Sequence, residues 1–278
     1  QSRMLWMRKH LEELFGVETP VTDTTEMLMS SSIYQALALA GFEGVMMDGR
    51  EWVLGWRDPT YLYHYGRPTK ILTRHHTLSD DVGYRFSNRR WPGYPLLATT
   101  YADWLREARG DFVLLGWDYE TFGEHHRQET GIFDFIRRLP GEVQARGMEF
   151  ATASEVMAKY SGHSFHLPMP AFTSTWAGIR GGPEFFLASP IQQTSFEWLN
   201  PAYNKAKLTE NPILVDLALW LLQSDNLHMV HWYGREGSEA EVSSYFTPGE
   251  WWRLGAEGII WELPQVYINF LDALDSYL

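Results

Sequence analysis

The sequence predicts an α/β fold with a largely parallel sheet, followed by a mainly helical C-terminal part. Three observations carry that prediction. Strand-like and helix-like segments alternate from the start of the chain to about residue 160, the order that βα units impose. After about residue 170 the strand signals fade and helical spacing takes over. The chain has 278 residues, 45 % of them hydrophobic and 15 % aromatic, which is enough apolar material for a sizeable core.

The elements follow in chain order. Met4, Met7, Leu11 and Leu14 recur at helical spacing over residues 4–15, and Gly16 stops that helix. VETPV (17–21) reads as a short strand. A second helix is expected from Ser32 as N-cap through Ile33, Leu37 and Ala40 to Gly41. GVMM (44–47) is a buried strand, and residues 49–68 form an aromatic excursion marked by Gly and Pro. TKILT (69–73) is the next strand, and Ser79-Asp80-Asp81 reads as an N-cap with an acidic first turn. Tyr101–Arg109 is helical, and DFVLLGW (111–117) is the clearest strand, expected to be buried. Thr130–Arg146 is helical, with Pro140 expected to kink or split it. MEFAT (148–152) is a strand, and Thr152 with Glu155 forms a capping box for the next helix. Residues 190–207, 213–231 and 265–278 are helical.

Two regions result: residues 1–170, which carry the sheet, and residues 171–278, a helical lobe. Four or five parallel strands are too few to close a barrel, which takes about eight in its commonest form. The sheet is therefore open, or its first strands lie outside this chain, which begins at Gln1.

Composition narrows the function. The net charge of −12 argues against phosphate-backbone binding and fits a neutral or cationic partner. There is no cysteine, which excludes disulfides, thiolate chemistry and sulfur-ligated zinc and suits the cytoplasm. No apolar run approaches the roughly 18 residues of a bilayer span. Among 13 Trp and 14 Tyr, several sit beside Gly and Pro in 49–68 and in PGEWWRLGAEGIIWELP (248–264), which reads as loop. Flat rings in polar loops suit a sugar, whose ring has an apolar face to stack on and a hydroxyl edge to bond.

The densest chemistry is GWDYETFGEHH (116–126), which follows the strand at 111–117 and holds Asp118, Glu120, Glu124, His125 and His126. In βα folds the active site lies at the carboxyl ends of the strands. Asp118 occupies such an end, and Glu26 follows the strand at 17–21. Two carboxylates facing one cleft are the minimum equipment for glycoside hydrolysis. One must be ionised and the other must hold a proton, and a neighbouring carboxylate such as Glu120 would raise Asp118. Each residue also has a plainer reading. Glu26 can be a solvated loop acid and Asp118 a cap. His125-His126 can be a metal pair, although no Cys or His cluster supplies further ligands. Asp225, inside an apolar helical run, is either a buried acid reaching a cleft or a partner of Ser224. Trp56 and Trp117 are either packing residues or sugar platforms.

These residues resemble glycoside hydrolase family 57. DYETFGEHH (118–126) is similar to that family's fourth signature region, and DTTEMLM (23–29) to its third. LSDDVGYRFSNRRW (78–91), ETGIFDFIRRLPGE (129–142) and QSDNLHM (223–229) resemble its α-amylase-type members in the same order. The resemblance implies a retaining mechanism on α-1,4-glucans without metal or cofactor, and an incomplete parallel (β/α)7-type barrel whose N-terminal strands are missing here. It implies Glu26 as nucleophile and Asp118 as acid/base, with Glu120, Phe122 and His125 lining the catalytic subsite and Asp225 as the fifth-region acid. The family's first two regions, His-Gln-Pro and a segment ending in Glu, have no counterpart, and Asn226 stands where α-amylase members have His. A 4-α-glucanotransferase using the same pair, and a truncated, non-catalytic glucan-binding segment, are the alternatives.

Overall fold

A computed structural model describes residues 2–178, 180–232 and 249–278. They form two compact units, Gln1–Gly182 and Pro183–Leu278.

The first unit is a mixed α/β fold on one five-stranded, mostly parallel sheet. Its strands are β1 (Val21–Thr22), β2 (Gly44–Asp48), β3 (Leu62–His64), β4 (Lys70–Arg74) and β5 (Ser164–His166), in the order β1-β2-β4-β3-β5. β1, β2 and β4 run parallel, β3 is antiparallel to β4, and β5 is parallel to β3. The helices of this unit are α1 (Ser2–Phe15), α2 (Ser31–Leu39), α3 (Glu51–Leu54), α4 (His76–Gly83), α5 (Ala98–Glu107), α6 (Ile132–Ala145) and α7 (Ala153–Tyr160).

The central strands are apolar on both faces, as parallel strands covered by helices must be. Val45, Met47 and Ile71 pack with Tyr34 and Leu37 of α2 on one side. Met46 and Leu72 pack with Val156 and Met157 of α7 on the other. A third cluster joins α4, α5 and α6 through Leu78, Tyr101, Leu105, Phe135 and Leu139.

Several expectations change. α2 is capped by Ser30, not Ser32, because the Ser30 hydroxyl accepts from Ile33 N at 3.3 Å. VETPV contributes only Val21 to a strand. DFVLLGW is extended but touches the sheet at a single parallel bridge, Leu114 to Arg74, and its residues are half-buried. Its alternation is nonetheless that of a strand: Val113, Leu115 and Trp117 face the α4–α6 cluster, Phe112 and Leu114 the α7 side. MEFAT is irregular, with Phe150 61 % exposed, although the Thr152–Glu155 capping box that follows it forms as expected. Ser79-Asp80-Asp81 lies inside α4, whose N-cap is His75, its Nδ1 accepting from Leu78 N. Pro140 does not split α6. Strands β3 and β5 went unread because each is only three residues long and β3 sits in aromatic, Gly/Pro-marked sequence.

The second unit is helical among its described residues: α8 (Glu184–Leu187), α9 (Pro190–Leu208), α10 (Pro212–Leu221), α11 (Asp225–Trp232) and α12 (Gly249–Asp275). The expected helix at 213–231 is two helices. Asn226 closes the first of them, its side-chain amide donating to the carbonyls of Trp220 and Leu221. The segment at 248–264, read as loop, is helical from Gly249. Ala206, Leu214, Ala218 and Leu274 form the core here. No helix among the described residues is long and apolar enough to cross a membrane.

Candidate active site

β1, β2, β4 and the extended run 111–117 point the same way, so their carboxyl ends lie along one edge of the sheet. Each end delivers an ionisable group: Glu26 just past β1, Asp48 closing β2, Arg74 closing β4, and Asp118 past residue 117.

Glu26 sits in a single 3-10 turn, Thr25–Met27, with φ +53°, and Met27 follows at φ +50°. Two successive non-glycine residues in the left-handed region are unusual, and such backbones persist only where surrounding contacts hold them. Those contacts come from residues 174–176. Met29 and Ser174 exchange backbone hydrogen bonds of 2.8 Å. The Thr175 hydroxyl donates to Glu26 O, Trp176 N donates to the same oxygen at 3.3 Å, and the Trp176 indole N–H donates to Glu26 Oε2.

Asp118 is the N-cap residue of the 3-10 turn Tyr119–Thr121. It lines a cleft with Arg74, Gly83, Tyr84, Trp117, Thr121 and Trp176. Trp176 therefore joins the two carboxylates: its indole holds Glu26 while its ring walls the cleft that Asp118 faces. Gly116 permits the approach. A Cβ there would lie 3.1 Å from Arg74 Cδ and 3.3 Å from Met27 Cε, the residue next to Glu26. Burial, and then the charge of Glu120, push the Asp118 carboxyl above the ordinary range, against the opposing pull of His125 and Arg74. That shift favours a proton on Asp118.

Beneath the cleft lies a buried ionic network that the sequence did not disclose. Asp48 is fully buried and meets Arg74 at 3.0 Å, Arg50 at 3.1 Å and His76 at 3.0 Å. Arg74 also pairs with Asp80 at 2.7 Å and donates from Nε to Gly116 O at 2.9 Å. Burial alone would raise Asp48, but the His76 hydrogen bond and the Arg74 charge outweigh it and hold the carboxyl below its usual range. Asp80 is thus a partner of Arg74 and not a helix-start acid. One signal was available: Asp48 and Arg74 each end a buried strand, the same position that singled out Asp118.

The remaining candidates divide. Trp117 lines the cleft and donates its indole N–H to Ser79 O at 2.9 Å. Glu120 and His125 are half-buried and act on Asp118 through charge, but they are not in the cleft lining. Phe122 packs edge-on against Trp117, centroids 5.7 Å apart. Trp56 is absent from the lining; it is 88 % exposed, with the Arg57 guanidinium 4.8 Å from its ring centroid. Asp225, in the second unit, is the exposed first residue of α11 and not a buried acid inside a helix. His126 is tied to Ser87 at 2.8 Å and to Gly83 O at 3.0 Å. No group of three or more His, Cys, Asp or Glu among the described residues could hold a metal ion.

Residues 4–170 match the model for glycosyl hydrolase family 57. A curated protein from Methanocaldococcus jannaschii named "Putative alpha-amylase" is 35 % identical over an alignment of 249 residues, with 86 % of this chain and 53 % of that protein covered. The chain thus spans about half the length of the curated relative it matches. Among solved structures, the GH57-type branching enzyme from Pyrococcus horikoshii aligns with a TM-score of 0.61 at 12 % identity, over 97 % of this chain and 64 % of that one. The 4-alpha-glucanotransferase from Thermococcus litoralis aligns with a TM-score of 0.50 at 13 % identity, over 82 % and 36 %.

Proposed function

The chain belongs to glycosyl hydrolase family 57, and from that premise we propose that it acts on α-1,4-glucans by a retaining mechanism, with Glu26 as nucleophile and Asp118 as acid/base. The observation that carries the reading is Trp176, which binds the Glu26 carboxylate and walls the cleft lined by Asp118. Glu26 attacks the anomeric carbon as the glycosidic C–O bond breaks, and Asp118 gives its proton to the leaving oxygen. Asp118, now ionised, takes a proton from water as the water oxygen attacks the same carbon and releases Glu26. The raised Asp118 carboxyl supports the first step, since the proton must be present near neutrality. Retention requires the two carboxyl groups to lie about 5–5.5 Å apart across the bound sugar.

In the same reading Glu120 and His125 set the charge around Asp118, Trp117 walls the subsite, and Asp225 is a further glucan contact implied by the resemblance. The sheet belongs to an incomplete (β/α)7-type barrel over residues 1–170, and residues 171–278 are a mainly helical region. One of the two aligned structures is named a branching enzyme and the other a 4-alpha-glucanotransferase. A sugar hydroxyl in place of water would make the same carboxylate pair a transferase.

The test is turnover of malto-oligosaccharides by the 278-residue chain, with Glu26→Gln and Asp118→Asn beside it. Hydrolysis or transfer that both substitutions abolish is the expected result. Activity that survives Glu26→Gln would refute the assignment. Glucan binding without turnover in the unsubstituted chain would favour the non-catalytic alternative.

A further inference from the structure

The paired groups Asp48 and Arg50 do not themselves line the cleft, yet both are deeply buried and each touches a residue that does, Asp48 meeting Arg74 and Arg50 meeting Trp176. Arg50 shows what they hold. Its Nε donates to Thr175 O at 3.2 Å, and its terminal nitrogen donates to Trp176 O and, at 2.7 Å, to Gly178 O. One guanidinium thus gathers three carbonyls from a single stretch of chain, while Asp48 neutralises it, its Oδ2 lying 3.1 Å from the same Nε. The planar five-donor fork of Arg suits this task, whereas an ammonium is a single compact point charge. The stretch is closed over Arg50 by Gly181, whose carbonyl accepts from Thr175 N at 2.8 Å. A Cβ at Gly181 would lie 2.3 Å from Arg50 Nε, and its φ of +66° disfavours any other residue. Its far end is anchored by the Met29–Ser174 backbone pair. What this strap presents is Trp176, whose indole N–H reaches Glu26 Oε2 and whose ring has the Arg74 guanidinium 5.1 Å from its centroid.

We propose that Arg50 is a positioning residue, acting through Trp176 to hold the Glu26 carboxylate in its attacking orientation. The inference rests on Glu26 being the nucleophile. An indole N–H can only donate, so it fixes the orientation of the carboxylate through Oε2. Rotation of that carboxylate is what the strap prevents, so the loss should fall on the chemical step and not on glucan binding.

The experiment compares Trp176→Phe, Arg50→Lys and their double variant in the full chain, with Glu26→Gln as control, on a malto-oligosaccharide. Trp176→Phe keeps a ring against the cleft and removes only the donor. Arg50→Lys keeps the charge opposite Asp48 and loses the fork, so both are expected to fold. Each single variant is expected to lower kcat about tenfold or more, with KM within about threefold of the parent. The double variant should be no worse than about twofold below the poorer single, because both act through one contact. Unchanged kcat in both single variants, while Glu26→Gln abolishes turnover, would overturn the positioning role and leave the nucleophile assignment standing. So would losses that multiply in the double variant, since independent structural damage predicts that. Activity that survives Glu26→Gln would remove the assignment and this inference with it.

Discussion

Asp48→Asn tests whether the network beneath the cleft stabilises the first unit through charge. The substitution is nearly isosteric, and the Asn oxygen can still accept one hydrogen bond. It removes the negative charge that faces Arg50 and Arg74, whose side chains are only 10 % and 3 % exposed. Breaking one partner of a buried ion pair costs about 3–5 kcal/mol when the other is stranded. Neither arginine is stranded here: Arg74 keeps Asp80, and Arg50 keeps its carbonyls. The expected loss is therefore below that range, about 2–3 kcal/mol, or roughly 4–12 °C in Tm for a unit of this size. Thermal or urea unfolding at pH 7 measures it. The pH dependence sharpens the test. Asp48 titrates lower in the folded chain than its ordinary value. Its contribution is thus fully present above the unfolded carboxylate pKa of about 3.9 and fades as pH falls through the folded value. The gap between parent and variant should be widest near neutrality and should narrow below about pH 4. A loss under about 0.5 kcal/mol at pH 7, or a gap that widens with acid, would refute the argument that these charges are paired and matter.

Glu120→Gln removes a charge that raises Asp118. The Asp118 proton is then lost at lower pH, so the alkaline limb of kcat/KM should move toward acid while the activity near its optimum survives; a limb that stays put means Glu120 does not act on Asp118. Gly116→Val places a branched side chain where even a Cβ lies 3.1 Å from Arg74 and 3.3 Å from Met27. Overpacking costs about 1–3 kcal/mol. Because Met27 adjoins Glu26 and Arg74 lines the cleft with Asp118, glucan turnover should fall by more than tenfold, and a variant with parental kcat would show that the site tolerates a side chain at residue 116.

What was legible in the sequence follows from range. α1, α2, β2, β4, the capping box at Thr152 and the helix α9 are set by local patterns: helical spacing, a short apolar run, a cap. β3 and β5 are three-residue strands whose pairing spans about a hundred positions, Leu62 with Ser164, and no local pattern announces that. DFVLLGW shows the reverse case. Its alternation was read correctly, since both its faces are apolar, but the pattern reports which way side chains point and not whether a neighbour supplies a ladder. MEFAT has strand composition but pairs with no strand among the described residues, and lies exposed at Phe150.

The site divides along the same line. Glu26 and Asp118 could be nominated because each follows a strand, and a strand's end is a position that sequence exposes. Trp176 could not. It lies 150 residues from Glu26, in a stretch with no regular element, and its relevance exists only because Arg50 gathers the carbonyls around it. Arg50 lies at the start of the aromatic excursion, while the carbonyls it gathers lie 125 to 128 residues away. The residues proposed to carry charge to the reaction announce themselves by type and position. Those that hold them in place act through backbone carbonyls, which every residue possesses, so composition cannot mark them. For this fold the consequence is concrete: residues 174–176 should be read with the turn at 25–27 as one unit, because the left-handed backbone of Glu26 and Met27 is maintained from outside their own segment.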